Sequence, residues 1–327
     1  MGYTETMSEN SAPLLAITGP TGIGKTELAM ALSDQAPLAL ISADSVMVYQ
    51  DLDIGSAKPS PIELAQYPHA LVDIVPPEHP FDAGQFVLHA ETAIAKAWNE
   101  GMIPCLVGGT IMYLKALLDG LDQLPEADPK IRAQIRAVAG RDGWPAAHQW
   151  LASLDADMAA QIHPNHSTRI ERALEVYLVT GQSIQSHWTG QPGCLSIGGK
   201  HVDLSIITLW PASREQLKTR LDQRFMTMLE LGLLDEVRAL KERPGLSGDC
   251  PSMRSVGYRQ VWSYLDGEID HAGMIAKAQA ATRQLAKRQL TWLRSWRVLE
   301  SQRIEVADQL PIDAAVKWFK EMTAHVF

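Results

Sequence analysis

The run Leu14-Leu15-Ala16-Ile17-Thr18-Gly19-Pro20-Thr21-Gly22-Ile23-Gly24-Lys25-Thr26 decides the fold. A short apolar stretch leads straight into Gly19 to Thr26, which satisfies G-x-x-x-x-G-K-[ST] in full, and Glu27 to Leu32 then has helical spacing. Strand before and helix after is the context in which this pattern folds as a phosphate-binding loop. Glycines let backbone N–H groups converge on phosphate oxygens, and the helix N-terminus adds the positive end of its dipole. Lys25 is expected to reach the outer phosphate and the Thr26 hydroxyl to coordinate Mg²⁺. Gly19, Pro20, Thr21, Gly22, Ile23, Gly24, Lys25 and Thr26 together therefore predict a site for a di- or triphosphate. Nucleotide- and ATP-binding proteins use the same loop, and the loop alone is silent on what is done with the phosphate.

Outward from the loop, apolar runs alternate with helical stretches. Leu38 to Ser42 ends in Ala43-Asp44-Ser45, Ala70 to Val75 is closed by Pro76-Pro77, and Ile103 to Val107 ends in Gly108-Gly109-Thr110. Phe81 to Glu100 lies between the last two as a long helical stretch. This alternation predicts an α/β fold whose parallel sheet is covered on both faces. It stops near Gly120. Residues 122–199 read as helices joined by polar and Gly/Pro-rich turns, with Thr168-x-x-Glu171 as a capping box for a helix that stops at Gly181. A β-rich run from His201 to Trp210 returns to the sheet, Ser213-x-x-Gln216 caps a long helix, and helices follow to about Trp296. The expected architecture is a P-loop parallel-sheet core with a mainly helical insertion domain and a helical C-terminal part. Residues 1–12 are expected to be a flexible tail, 13–121 and 200–327 the core with its C-terminal helices, and 122–199 the insertion.

Charge is divided unevenly over the 327 residues. The net charge is −9, but residues 1–120 hold four Lys, no Arg and 14 acidic residues, whereas the rest of the chain is nearly balanced. Any guanidinium at the phosphate loop must therefore come from the second half. Apolar residues at 46% exclude wholesale disorder. No run of 18 apolar residues suggests a membrane span, and Met1 to Pro13 lacks the basic and apolar regions of a signal peptide. Gly2 and Thr6 fit the short myristoylation pattern without further support. Cys105, Cys194 and Cys250 form neither a CxxC pair nor a disulfide framework. A cytoplasmic protein is expected, without membrane association and monomeric.

A kinase or hydrolase with this loop usually carries an Asp at a strand end to help hold Mg²⁺. Ile103 to Val107 ends without one, and Asp44 is the acid at a strand end near the loop. Asp44 could be an outer-sphere metal ligand, a general base, or a cap for a following helix.

Several segments together resemble tRNA dimethylallyltransferases. They are Gly19-Pro20-Thr21, Ser42-Ala43-Asp44-Ser45, Asp53-Ile54-Gly55-Ser56-Ala57-Lys58-Pro59 and Leu106-Val107-Gly108-Gly109-Thr110. Arg254-Ser255-Val256-Gly257-Tyr258-Arg259-Gln260 and Thr282-Arg283-Gln284-Leu285-Ala286-Lys287-Arg288-Gln289 complete the set. These matches run in order from residue 14 to about 300. The resemblance implies transfer of a dimethylallyl group from dimethylallyl diphosphate to the exocyclic amine of the adenosine just 3′ of a tRNA anticodon. It implies that the loop cradles a pyrophosphate leaving group rather than a nucleotide. Asp44 would be the general base, Thr110 would help hold the adenine or the diphosphate, and Arg224 would supply the missing guanidinium. Arg220, one turn away, could face the same site. The chain departs from the family's usual residues at Ile23 for Ser, Met47 for Gln and Ile111 for Gly.

A basic helix adds an independent pointer to RNA. Placed at ~100° per residue, Arg283, Lys287, Arg294 and Arg297 fall on one face, and Leu285, Trp292 and Trp296 point the other way. The resemblance implies that Asp44, Ser45, Val46, Met47 and Thr110 meet tRNA near the target base. It adds Arg132, Thr168, Arg169, Ile170, Glu171 and Arg172 from the insertion, Arg254, Ser255, Val256, Gly257, Tyr258 and Arg259 from the glycine turn, and Arg283, Lys287 and Arg294 from the basic helix. The partner is expected to be the anticodon stem-loop, with the target base flipped out of its stack. His163-x-x-His166 is too little for a metal site. Two other readings start from the loop: a small-molecule kinase, which forms ADP, and a nucleotide-dependent RNA-binding module, to which Asp44 is dispensable.

Overall fold

The structure is a computed structural model and describes residues 11–120, 124–187, 196–296 and 302–323. The Gly2/Thr6 pattern, Cys194 and Arg297 lie outside the described residues. Two compact units make up the chain, one formed by Met1–Asp119 with Gly193–Phe327 and the other by Gly120–Pro192.

The first unit opens with β1 (Ser11–Thr18), α1 (Lys25–Ser33), β2 (Leu38–Ser42), α2 (Pro61–Gln66), β3 (His69–Ala70), α3 (Ala83–Asn99), β4 (Ile103–Gly108) and α4 (Ile111–Leu118). The second unit contributes α5 (Pro129–Asp142), α6 (Trp144–Leu154), α7 (Ala156–Ala160), α8 (Ser167–Thr180) and a short 3-10 turn, Ile184–His187. The first unit resumes with β5 (Ser196–Ile197), β6 (Lys200–Pro211), α9 (Arg214–Glu230), α10 (Leu233–Lys241), α11 (Tyr258–Leu265), α12 (His271–Ser295), β7 (Gln302–Val306) and α13 (Ile312–Thr323).

The strands form one sheet in the order β3-β2-β4-β1-β6-β5, with β7 also on β6. Every pairing is parallel except the short β5–β6 hairpin. Alternation along the strands separates two cores. Leu14, Ala16, Ile41, Leu106 and Ile206 enter one, and Leu15, Ile17, Leu40, Cys105, Val107 and Ile207 enter the other. That is why these segments read as continuous apolar runs rather than as half-polar strands. No helix among the described residues is long and apolar enough to cross a membrane.

Four boundaries differ from expectation. Ser11 and Ala12, placed in the tail, pair with His201 and Val202 and extend β1. Ala70 to Val75 is not one strand: Leu71 and Asp73 take φ of +63° and +57°, so β3 ends at Ala70 and Val75 returns as an isolated bridge to Tyr49. The division between the units falls at Pro192 rather than 199, because Ser196 and Ile197 pair with β6. The C-terminal part is not purely helical, since β7 adds a parallel strand with Ile304 and Val306 buried.

Within the second unit, Ile135, Leu151, Ile162, Ile170, Ala173, Leu174 and Val176 build a core of their own. The Thr168/Glu171 capping box does not form. α8 begins two residues earlier, with His166 at the cap and no side-chain cap bond, and Glu171 pairs instead with Arg136 at 2.7 Å. The helix does stop at Gly181, which adopts the left-handed conformation.

Register delivers the carboxyl ends of β1, β2 and β4 to one edge: Thr18 lies beside Gly108, and Ser42 beside Val107. Ligands of open α/β sheets bind outside this edge. The crowding there is severe, because a Cβ on Gly108 would sit 2.1 Å from the Ala43 carbonyl oxygen. Gly108→Ala should therefore destabilise the protein by about 1–3 kcal/mol or more. Chemical denaturation measures the change, and an unaltered midpoint would contradict the close approach.

Candidate active site

The phosphate loop leaves β1 at Gly19 and enters α1 at Lys25, with Gly24 at the helix cap in the left-handed region at φ +103°. Lys25 Nζ donates to the Pro20 carbonyl at 2.8 Å, folding the side chain back over the loop. Desolvation by burial lowers the Lys25 pKa to about 8, while Asp44 opposes the shift and Arg224 adds to it. Burial also lowers the pKa of Arg224, with Asp44 again opposing. One carboxylate thus lies in the field of two desolvated cations at the mouth of the loop.

The turn after β2 supplies that carboxylate. Asp44 Oδ1 accepts from the Val46 N–H at 2.9 Å and the Met47 N–H at 3.4 Å, so Asp44 caps a turn rather than a helix. Its Oδ2 makes no hydrogen bond among the described residues. Thr110 braces the same turn: its Oγ1 accepts from the Ser45 N–H at 3.0 Å and lies 3.3 Å from Ser45 Oγ. The Thr110 N–H donates to the Ala43 carbonyl at 3.3 Å. Ser45, Val46 and Met47 are half-buried, and the last two spend their N–H groups on Asp44.

α9 carries Arg224 to the loop. A Cβ on Gly22 would lie 3.6 Å from Arg224 Nη1 and 2.7 Å from the Leu221 side chain, so α9 packs directly on the loop. Arg220 does not join it. Its Nη2 donates to the Ala307 carbonyl at 2.9 Å and the Asp308 carbonyl at 3.4 Å, which ties α9 to the segment after β7.

Two polar anchors were not foreseen. Gln289, from α12, accepts from the Thr21 N–H at 2.8 Å and donates to the Gly109 carbonyl at 2.7 Å. The signal was present, since Gln289 falls among Ala286, Leu290 and Leu293 on the buried side of an amphipathic helix. Glu236, from α10, accepts from the N–H groups of Asp53, Ile54 and Gly55 at 3.1, 2.6 and 3.2 Å. Tyr258 donates its hydroxyl to the same carboxylate at 2.6 Å. A charge on a helical surface face gives no such sign of its partners.

The candidate RNA-contacting residues separate into available and committed groups. Tyr258 and Ile170 are fully buried, so their side chains cannot meet RNA; the first clamps Glu236 and the second fills the core of the second unit. Arg132 and Arg172 both bind Glu175, which is fully buried, and Arg172 also donates to the Pro125 carbonyl. Burial would raise the Glu175 carboxyl, but hydrogen bonds from Arg132, Arg172 and the Asp128 N–H outweigh it and leave its pKa below the ordinary value. Glu171 is paired with Arg136, whereas Thr168 and Arg169 are exposed. Arg254 pairs with Asp249 on the surface, Arg259 is exposed, Ser255 and Val256 are half-buried, and Gly257 is buried with its N–H on Gln260.

The basic face of α12 is rotated from its expected position. Arg283 is half-buried and pairs with Asp222 of α9 at 2.5 Å, and Trp292, placed on the packing face, is 45% exposed with Lys115 Nζ 5.4 Å from its ring. The reason is Gln289, a polar residue whose bonds to the loop put it on the buried face. Lys287, Arg288 and Arg294 remain exposed, and Arg294 lies 5.2 Å from the Trp210 ring. Among the described residues no group of three or more His, Cys, Asp or Glu is placed to hold a metal ion. The Thr26 hydroxyl in the first turn of α1 and the nearby Asp44 are oxygen donors of the kind Mg²⁺ takes, and Mg²⁺ usually completes its shell with water and substrate phosphates.

Residues 47–296 match the IPP transferase family. The tRNA dimethylallyltransferase 2 of Hahella chejuensis is 50% identical over 301 residues, covering 89% of this chain and 91% of that protein. The tRNA dimethylallyltransferase of Thioalkalivibrio sulfidiphilus is 47% identical over 307 residues, covering 94% and 95%. Among solved structures, the full-length tRNA isopentenylpyrophosphate transferase from Bacillus halodurans is similar with a TM-score of 0.68 and 32% identity over 96% of both chains. A eukaryotic dimethylallyltransferase acting on tRNA shares the fold with a TM-score of 0.77, at 24% identity over 96% of this chain and 80% of that one.

Because free Lys25 titrates near pH 8, its charge is present below that pH and lost above it. Lys25→Met should weaken pyrophosphate binding markedly at pH 7, and the gap from the unmodified protein should close as pH rises toward 9.5. Calorimetric titration across that range checks this; a constant gap would contradict it.

Proposed function

Because the chain belongs to the IPP transferase family, whose members are prenyltransferase enzymes modifying tRNA, we propose that it moves a dimethylallyl group from dimethylallyl diphosphate to the exocyclic amine of the adenosine 3′ of the anticodon. The observation that carries this reading is the convergence of Lys25, Arg224 and Asp44 at the carboxyl edge of β1, β2 and β4. Two buried cations suit a departing pyrophosphate, and a carboxylate with one free oxygen suits the amine that attacks.

In the proposed reaction the amine nitrogen forms a bond to C1 of the allyl group, and the C1–O bond breaks with its electron pair going to pyrophosphate. Negative charge grows on the leaving oxygen, where Lys25, Arg224 and the loop N–H groups stabilise it more than in the ground state. The weakly basic amine becomes acidic as it attacks, and Asp44 Oδ2 takes its proton. Thr110 holds the Asp44 turn through Ser45, which keeps that oxygen aimed. The Thr26 hydroxyl would hold Mg²⁺, which when bound supplies further neutralisation of diphosphate charge.

RNA is proposed to lie along the exposed face of α12, where Lys287, Arg288 and Arg294 offer cations and Trp292 an aromatic surface. The reaction is proposed to occur in the cytoplasm, which the free thiols of Cys105 and Cys250 support.

The test is incubation with Mg²⁺, dimethylallyl diphosphate and unmodified tRNA. Pyrophosphate released in step with prenylated adenosine is expected, and ADP formation from ATP without RNA would contradict the reading. Asp44→Asn should cut turnover by about 10²–10⁴ with tRNA affinity retained; unchanged turnover removes Asp44 as the base. Replacing Lys287, Arg288 and Arg294 together by Gln should flatten the dependence of log K on log salt by about 2–3. An unaltered slope would place the RNA elsewhere.

A further inference from the structure

Gln289 joins two backbone segments that carry the chemistry but are far apart in sequence. Both ends of its amide are used, so it can point only one way: Oε1 faces the Thr21 N–H, and Nε2 faces the Gly109 carbonyl, which precedes Thr110. The side chain is buried, at 9% exposure. A Cβ on Gly109 would lie 2.6 Å from Gln289 Nε2, 3.1 Å from the Gly19 carbonyl oxygen and 3.2 Å from Lys25 Nζ, so loop, turn and lysine meet around this one amide. No charged or apolar residue could satisfy both partners. An apolar one would leave a buried donor and acceptor unpaired, and a carboxylate could not donate to the carbonyl.

We propose that Gln289 is a positioning residue for prenyl transfer, fixing the spacing between the phosphate loop and the turn that bears Thr110 and braces Asp44. The diphosphate is gripped on the loop side of this amide, and the proton acceptor is braced on the turn side. The amide therefore sets the distance between the leaving group and the base. Because Gln289 sits on the buried side of α12, roughly 140–160° round the helix from the exposed Lys287 and Arg294, it also ties the proposed RNA-facing helix to the phosphate loop. Small misplacements of reacting groups are costly, about 10²-fold for an ångström.

This inference rests on the proposed reaction, and its test separates the two. Gln289→Met keeps the length and removes both bonds; Gln289→Glu keeps the acceptor, removes the donor and adds a charge near Lys25. The full chain and both variants are assayed for inorganic pyrophosphate binding, for single-turnover prenylation at saturating tRNA and for thermal unfolding. Failure of the unmodified chain to prenylate sinks the proposed reaction, whereas pyrophosphate affinity reports on the amide in either case. Gln289→Met should bind pyrophosphate about tenfold more weakly and, with tRNA affinity kept within about twofold, turn over about 10–100-fold more slowly. Gln289→Glu, which keeps the acceptor and loses the donor, should likewise turn over about 10–100-fold more slowly with tRNA affinity kept. Unchanged pyrophosphate affinity in both variants, or a rate loss fully accounted for by unfolded protein, would overturn the proposal.

Discussion

The site depends on burying two cations beside one carboxylate. Lys25 and Arg224 are both desolvated at the loop, and Asp44 is the acidic group that offsets them. Removing charges from water costs several kcal/mol per ion unless partners compensate. Here compensation is incomplete by construction, because Asp44 spends Oδ1 on the turn that positions it. A bound diphosphate would complete it, and the same excess of positive charge would draw electrons toward the leaving oxygen. The N-terminal half contains no arginine before Gly120, so the second cation has to arrive from α9, after the chain has returned to the sheet.

Holding these charges requires backbone contacts that side chains would prevent. Gly108 lets β4 run against the Ala43 carbonyl, and Gly109 leaves room for Lys25 and Gln289. The turn after β2 is then fastened through Thr110, and the segment beyond it by Glu236, whose carboxylate takes three successive N–H groups and the Tyr258 hydroxyl. The Gly55 and Gly257-Tyr258 segments thus serve one internal bond far from each other in sequence, with Tyr258 sealed from solvent. That carboxylate is what joins the two segments inside the protein.

How much of this is legible in the sequence follows from how far each signal reaches. The phosphate loop and the runs Leu38–Ser42 and Ile103–Val107 are local patterns, and strands and loop form where those patterns lie. Family resemblance points to Asp44 as the base and Arg224 as the guanidinium, and the fold brings them to one place with Lys25. Partners of exposed-looking charges were not legible: Arg132 and Arg172 spend themselves on Glu175, Arg220 on carbonyls after β7, and Arg283 on Asp222. Periodicity also misassigned Trp292, because counting apolar residues ignores a buried polar group that has partners. Short strands such as β5 and β7 escape for a different reason, since pairing more than pattern defines them.

The most direct measurement is a crystal structure of the full chain with Mg²⁺ and pyrophosphate. The account predicts pyrophosphate on the loop N–H groups, in contact with Lys25 Nζ and the Arg224 guanidinium, with the metal on the Thr26 hydroxyl. Asp44 Oδ2 should remain free and face the open side of the site, and the Gln289 bonds to Thr21 and Gly109 should persist. Pyrophosphate bound away from the loop, or Asp44 Oδ2 locked in an ion pair with Lys25 or Arg224, would contradict it.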